Sequence, residues 1–202
     1  MHFTFPTEQQ ELETVRVDAC ALILFEGEQA SSPVLKALDQ SLSGLLTSAL
    51  EEEQFAGKKT QSFTIHTHGK VAATRVLVLG AGKRRDFQLS DVRFLTARAV
   101  RMAQGSRARS IGIVLPELEG AQAERAAQFI SEGALLATYQ FDKYVAADKK
   151  KPSTLSDVVV LPAVPGAMPA EQVARAAGMA PLRAQLERGV ARGVEVARGT
   201  ML

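Results

Sequence analysis

Short apolar runs alternate with segments of helical periodicity from residue 70 onward, and this alternation restricts the possible folds more than any other feature. Residues 75–79 and 111–115 are apolar runs of strand length. Residues 91–105 and 121–139 carry apolar side chains three and four positions apart, as amphipathic helices do. The pattern predicts an α/β fold with a mixed, mostly parallel sheet flanked by helices on both faces.

The first half of the chain supplies further elements. Residues 14–17 and 19–25 are predicted strands, and the second is almost continuously apolar, as expected for a strand covered on both faces. Ser31 or Ser32 can cap one predicted helix, which has Pro33 at its first position. Its apolar face consists of Leu35, Leu38, Leu42, Leu45 and Leu46. Residues 62–67 alternate and predict a half-buried strand, and residues 158–161 predict a last short one.

The last sixty residues predict loops and a tail helix. Residues 142–156 are polar and read as a surface loop, and residues 162–169 are rich in Pro, Gly and Ala, as linkers are. The tail helix has a regular apolar stripe formed by Leu182, Leu186, Val190 and Val194. Such a stripe needs a cover. The helix either folds back onto the sheet or connects to a further domain. We predict a domain at 1–165, followed by a linker and connecting helix at 166–202.

Composition narrows the function classes. Hydrophobic residues make up 46% and charged residues 23%, which is typical of a globular domain. The net charge of +2 is unevenly placed: residues 1–60 hold 4 Lys/Arg against 10 Asp/Glu, and residues 61–151 hold 15 against 8. This is either ordinary segregation of surface charge or a basic face for an acidic partner or a phosphate backbone.

Localisation and redox state follow from features that the sequence lacks. There is no N-terminal signal pattern and no apolar run of about 18 residues, so we expect a cytoplasmic protein with no membrane partner. The single cysteine, Cys20, lies in an apolar run, and we expect a buried, inert thiol.

One glycine-rich turn follows a predicted strand and precedes a helix, where phosphates are often bound. It consists of Gly80, Ala81, Gly82 and Lys83. The dinucleotide pattern G-x-G-x-x-G fails because Arg85 stands at its third glycine, and no Ser or Thr follows Lys83 as a P-loop requires. The turn is either a tight backbone turn or a binding pocket for an anion or nucleotide.

The densest basic zone follows this turn. The candidate basic surface consists of Arg84, Arg85, Arg93 and Arg101, with Arg98, Arg107 and Arg109 near it in sequence. These side chains either form a solvated helix face or contact phosphates of a nucleic acid. Phosphate contacts would give affinity with little sequence specificity. Few aromatic residues are interleaved, so stacking on single-stranded nucleic acid is poorly supported.

No set of metal ligands or catalytic residues emerges from the sequence. His66 and His68 are two apart on a predicted strand and share a face, but Cys20 and His2 do not complete a metal site. We expect ordinary surface histidines. No nucleophile elbow and no carboxylate cluster for two metals is present, so we predict no catalytic residue and no cofactor in this segment.

Two stretches resemble the N-terminal domain of the leucyl (cytosol) aminopeptidase family. The run RVLVLGAGK at 75–83 is similar to that family's strand and glycine turn. The run EGALLATYQFDKY at 132–144 is the more specific match, because the family's long helix ends in Glu-Gly-x-x-Leu-x-x-Tyr-x-Phe-Asp-x-Tyr. The tail helix, with Gly189 and Gly193, looks like the family's linker helix. The resemblance covers roughly residues 15–198.

The resemblance implies a macro-domain-like three-layer sandwich with a C-terminal linker helix, as the non-catalytic part of a metallo-exopeptidase that removes N-terminal residues from peptides. In the family a C-terminal domain binds two divalent metals, Zn or Mn, through a Lys, three Asp and a Glu. None of those motifs occurs here, and the family's continuation after Arg198 is replaced by residues 199–202. Implied partners are the catalytic domain, other subunits of a hexamer and, in some bacterial members, DNA. The implied role is in assembly and active-site access; the alternative is a stand-alone binding module for ADP-ribose-like ligands or DNA.

Overall fold

The computed structural model describes residues 1–4, 15–114, 120–139, 154–161 and 179–201. These residues form one sheet with helices on both of its faces. The strands are β1 (His2–Thr4), β2 (Ala19–Phe25), β3 (Ser62–His66), β4 (Arg75–Gly82), β5 (Ser110–Val114) and β6 (Asp157–Leu161). The helices are α1 (Pro33–Ser41), α2 (Leu45–Glu52), α3 (Asp91–Gly105), α4 (Gly120–Thr138) and α5 (Met179–Met201).

The sheet is mixed and mostly parallel, as predicted. Its strand order is β1-β6-β5-β2-β4-β3. Every pairing is parallel except that of β3 with β4, which is antiparallel. A parallel neighbour requires a crossover, and the helices between the strands provide it.

Alternate residues of β2 point to opposite faces of the sheet and into two separate cores, because the side-chain period of a strand is two. Ala19, Ala21 and Ile23 belong to the core on the side of α3 and α4. Cys20, Leu22 and Leu24 pack with α1 and α2. All seven residues of β2 are buried, which explains their continuous apolar sequence. The three-layer arrangement of helices, sheet and helices is thereby confirmed.

The single long helix predicted after Pro33 is wrong, because the chain forms two helices there. Ser32 caps α1 through a hydrogen bond that its Oγ accepts from the Leu35 amide (3.3 Å). The break falls at Ser43 and Gly44, whose φ angles are 58° and 81°. A left-handed pair of residues cannot continue a right-handed helix. The break still keeps Leu42 and Leu46 fully buried on the same face of the sheet.

The ends of the sheet differ from the prediction in two further places. No strand is found at 15–17: Val15 and Val17 are buried there without belonging to the sheet. Instead the Val17 carbonyl accepts a hydrogen bond from the Thr74 amide (3.3 Å). The edge strand β1 was not predicted, since three residues are too few to show a period.

The tail helix α5 docks on α4 rather than directly on the sheet. Its Val190 and Ala197 are buried, and the Ser131 hydroxyl donates to the Val190 carbonyl (3.2 Å). The side chains of Leu182 and Leu186 lie outside the described part of the chain, as does the predicted boundary between 165 and 166. The predicted loop at 142–156 and linker at 162–169 also fall outside it, apart from residues 154–156.

None of the helices in the described ranges combines the length and apolarity needed to cross a bilayer.

Candidate functional site

The predicted glycine turn lies at the carboxyl end of β4 and is held against the loop that precedes β3. The Gly80 amide donates to the Gln61 carbonyl (3.0 Å), and the Gly82 amide donates to the Gly57 carbonyl (2.8 Å). The Gly82 carbonyl in turn accepts from the Glu26 amide (2.9 Å), which joins this segment to the end of β2. Two of the amides that could bind an anion therefore already have carbonyl partners.

Close backbone approach explains why glycine occupies these positions. A Cβ built on Gly80 would overlap the Lys58 carbonyl oxygen and the Gly57 backbone. Gly82 has a φ angle of 78°, which side-chain-bearing residues rarely adopt. The prediction of a tight turn at these residues is wrong, because the segment up to Gly82 belongs to β4, and Gly80 and Gly82 pair with β2. Glycine is required there by the close approach of the neighbouring loop and by the positive φ angle of Gly82. The Lys83 side chain is exposed beside it. An anion pocket at these residues stays a prediction.

Arg84 is bound within the domain at the ends of β2 and β4. Its guanidinium hydrogen-bonds both carboxylate oxygens of Glu28 (2.5–2.9 Å). It also lies over the Phe25 ring, 4.2 Å from the centroid, and Phe87 packs edge-on against that ring at 5.0 Å. The hydrogen bonds from Arg84 lower the pKa of Glu28. The Glu28 carboxylate therefore already occupies the guanidinium donors of Arg84 that an anionic ligand would bind.

Arg93 is likewise paired, but with a buried carboxylate. Its guanidinium contacts Glu132 on α4 (2.5 Å), a residue that is only 1% exposed, and lies 4.8 Å from the centre of the Phe129 ring. Gln128 also donates to Glu132 (2.8 Å). Burying a carboxylate without partners costs free energy, and the contacts from Arg93 and Gln128 offset that cost. The pair of Arg93 and Glu132 also connects α3 to α4.

The remaining arginines of the basic zone point to different surroundings. Arg85 and Arg101 are exposed, and Arg85 lies 3.7 Å from Asp86. Arg98 donates to the carbonyls of Lys59, Thr60 and Gln61, and partial burial lowers its pKa. The structure therefore divides the basic zone between structural contacts and exposed positions. Arg107 and Arg109 are exposed at the turn before β5.

Local sequence patterns did not indicate that Glu132 and Asp18 would be binding partners within the fold. A Cβ on Gly133 would overlap the Arg93 carbonyl oxygen, so the Glu132-Gly133 pair brings α4 into direct contact with α3. The resemblance singled out this dipeptide, but spacing alone could not assign its partner. Asp18 accepts from the Arg109 amide (2.6 Å) and the Ser110 amide (3.2 Å), which holds the start of β5 beside the start of β2.

The prediction that both histidines lie on one strand is wrong, because β3 ends at His66 and His68 lies in the following turn with a φ angle of 51°. Both side chains are exposed, and the ring centres of His66 and His68 are 6.2 Å apart. Within the described ranges, no three His, Cys, Asp or Glu side chains gather in a way that could hold a metal ion.

We expect the Cys20 thiol to be unreactive in the native protein. It is buried, as predicted, and desolvation raises its pKa to about 12. A rise of that size leaves about a thousandfold less thiolate than an ordinary thiol has. An aromatic disulfide reagent at pH 8 should label the native chain very slowly and the urea-unfolded chain at once. Equal rates in the two states would contradict this expectation.

Comparison with known proteins gives a family match over more than half of the chain. Residues 21–147 match the model of the cytosol aminopeptidase family, N-terminal domain. Probable cytosol aminopeptidases of Alkaliphilus oremlandii and Alkaliphilus metalliredigens are each 28% identical, over 96% and 98% of this chain. That of Roseiflexus castenholzii is 32% identical over 81% of it. The chain spans only 36%, 37% and 30% of these three relatives.

Solved structures show the same fold. A tomato leucine aminopeptidase mutant superposes on 100% of this chain with a TM-score of 0.77 and 23% identity. The bottromycin maturation enzyme BotP covers 92% of the chain with a TM-score of 0.58 and 21% identity, and a further structure of it is in complex with Mn. The chain corresponds to 37% of the tomato protein and 31% of BotP.

Proposed function

The chain belongs to the cytosol aminopeptidase family, whose N-terminal domain it contains, and we propose that it is the non-catalytic part of a metal-dependent leucyl aminopeptidase. The observation that carries this proposal is the extent of the match. Nearly the whole chain aligns with relatives of which it spans about a third. The enzymatic residues are then expected in the part of such proteins that this chain does not contain.

The proposed enzyme removes N-terminal residues from peptides in the cytoplasm. Its two divalent metals, Zn or Mn, are assigned to the catalytic domain and not to this segment. Support for that assignment comes from coverage, because the chain spans about a third of the relatives that it matches and most of each relative lies outside it. The division into a domain at 1–165 and a linker with connecting helix at 166–202 belongs to the same proposal.

The role proposed for this domain is assembly of the oligomer and control of access to the active sites. Its partners are its own catalytic domain and other copies of the chain. DNA and ADP-ribose-like ligands come second, because Arg84, Arg93 and Arg98 already have partners within the domain. A salt-dependent DNA shift assay and calorimetry with ADP-ribose test these ligands separately.

The proposal predicts that the 202-residue chain does not hydrolyse a leucyl-anilide substrate, with or without Mn²⁺ or Zn²⁺. The physical reason is that two-metal hydrolysis needs convergent carboxylates that hold both ions. The measurement is release of the anilide chromophore, with tomato leucine aminopeptidase as the positive control. Metal-dependent turnover by the purified chain, abolished by a chelator, would refute the proposal.

A further inference from the structure

The strand β3 forms one edge of the sheet, and the hydrogen bonds at its two ends show which of its backbone groups point outward. The Gly80 amide donates to the Gln61 carbonyl (3.0 Å), and the Thr67 amide donates to the Thr74 carbonyl (3.1 Å). The Gln61 carbonyl and the Thr67 amide therefore point toward β4, whereas the Gln61 amide donates to the Lys58 carbonyl (2.9 Å) and the Thr67 carbonyl accepts from the Lys70 amide (3.0 Å). Phe63 and Ile65, which lie two apart between them, turn both of their backbone groups toward β4. The amides and carbonyls of the intervening residues, Ser62, Thr64 and His66, point away from β4.

Within the described residues, this outer edge lacks the charged side chains, prolines and bulges that commonly prevent pairing. Natural edge strands are blunted by charged side chains, prolines or bulges. Ser62–His66 contains no Lys, Arg, Asp, Glu or Pro, and its register with β4 is regular throughout. The side chains of Ser62, Thr64 and His66 are exposed, and no described strand lies beside them. Among the described residues, nothing pairs with the outward backbone groups of Ser62, Thr64 and His66.

We propose that β3 is the surface on which a second copy of this chain docks, with the two β3 strands antiparallel about a two-fold axis at Thr64. In this register Thr64 lies opposite Thr64 of the second copy, and Ser62 lies opposite His66. These are the residues that point outward, so each such pair exchanges two backbone hydrogen bonds. The two sheets join into one continuous sheet across an isologous interface.

The side chains of β3 fit a copy of themselves. The same register places Phe63 opposite Ile65 of the second copy, so that apolar meets apolar on the side of the α1–α2 core. On the other face, hydroxyl meets hydroxyl at Thr64, and Ser62 meets His66. No two ionisable side chains lie opposite each other in this register, so the strand is compatible with a copy of itself. The half-buried Phe63 gains a cover.

The inference rests on the assembly role proposed above, because it names the surface through which copies meet. The leucyl-anilide assay does not depend on assembly, so the two proposals can fail separately. The sizing experiment below concerns only β3.

The test is sedimentation of the 202-residue chain and of three variants at Thr64. The wild type is expected to form dimers that dissociate on dilution. Thr64→Asp and Thr64→Lys each place like charges opposite one another, and each should raise the dimer dissociation constant at least about tenfold. Thr64→Val, the matched control, keeps the shape and the backbone donor and should dimerise as the wild type does.

An equimolar mixture of Thr64→Asp and Thr64→Lys should form a heterodimer, because only a register in which residue 64 faces itself brings the opposite charges together. Amide exchange of the wild type needs no variant: protection at Thr64 and His66 should rise with protein concentration. Any of four results would overturn the proposal. The wild type could stay monomeric, or the Thr64→Asp variant could dimerise as Thr64→Val does. The mixture could form no heterodimer, or the amide exchange rates could be independent of protein concentration.

Discussion

Gly80→Ala is expected to destabilise the domain by about 3 kcal/mol and to lower its melting temperature by about 6–12 °C. Gly80 lies in β4 with the neighbouring loop pressed against it, and a methyl group there would overlap the Lys58 carbonyl oxygen. Because the Gly80 amide donates to Gln61 and the Gly82 amide to Gly57, the loop cannot retreat without losing both hydrogen bonds. Thermal unfolding followed by circular dichroism measures the effect.

Gly105→Ala is the matched control for this substitution. Gly105 ends α3, and a Cβ built on it meets no atom within 4 Å. Alanine there should leave the melting temperature unchanged or raise it slightly, since it removes freedom from the unfolded chain. If Gly80→Ala and Gly105→Ala have the same melting temperature, then the contact between the loop and β4 does not require glycine at position 80.

Gly193→Ala is expected to destabilise the docking of α5 by about 2 kcal/mol, with a fall of about 4–8 °C in melting temperature. A Cβ on Gly193 would overlap the Ser131 hydroxyl oxygen and the Gln128 carbonyl oxygen of α4. The helices would have to separate, which exposes Val190 and Ala197 and breaks the hydrogen bond from Ser131 to the Val190 carbonyl.

Hydrogen exchange locates this effect, and Gly199→Ala on the same helix provides its control. Gly193→Ala should reduce amide protection along α5 and leave that of β2 and β4 high, because local opening of a docked helix precedes global unfolding. Gly199 meets no atom within 4 Å of its built Cβ, so alanine there should preserve protection. Equal protection of α5 in both variants would show that the close approach at Gly193 does not hold the helix.

Five strands, β2 to β6, could be predicted to within a few residues because their burial shows in the local sequence, whereas β1 could not and the strand expected at 14–17 is not found at 15–17. Ala19–Phe25 and Arg75–Gly82 are covered on both faces, which demands continuous apolar runs. The break between α1 and α2 could not be predicted in the same way. The leucine period runs through it, and only the left-handed conformation at Ser43 and Gly44 interrupts the helix.

The candidate site shows the same division. The segment Gly80 to Lys83 could be identified because glycines between a strand and a helix are visible in the sequence. The sequence does not show which groups accept hydrogen bonds from the Gly80 and Gly82 amides. The carbonyls of Gln61 and Gly57 accept them. The basic zone was visible as a run of arginines, but the carboxylates of Glu28 and Glu132 come from distant parts of the chain. An ion pair between residues that are far apart in sequence leaves no local pattern from which it could be predicted.

The amino-acid sequence alone determined the α/β class, the mostly parallel sheet, the burial of Cys20 and the family, since each is expressed in local periodicity or in a contiguous motif. Tertiary structure alone decided the strand order, the docking of α5 on α4 and the partners of Arg84 and Arg93. It also decided which backbone groups of β3 face outward. The physical reason is that these properties depend on groups far apart in sequence that meet only after the chain has folded.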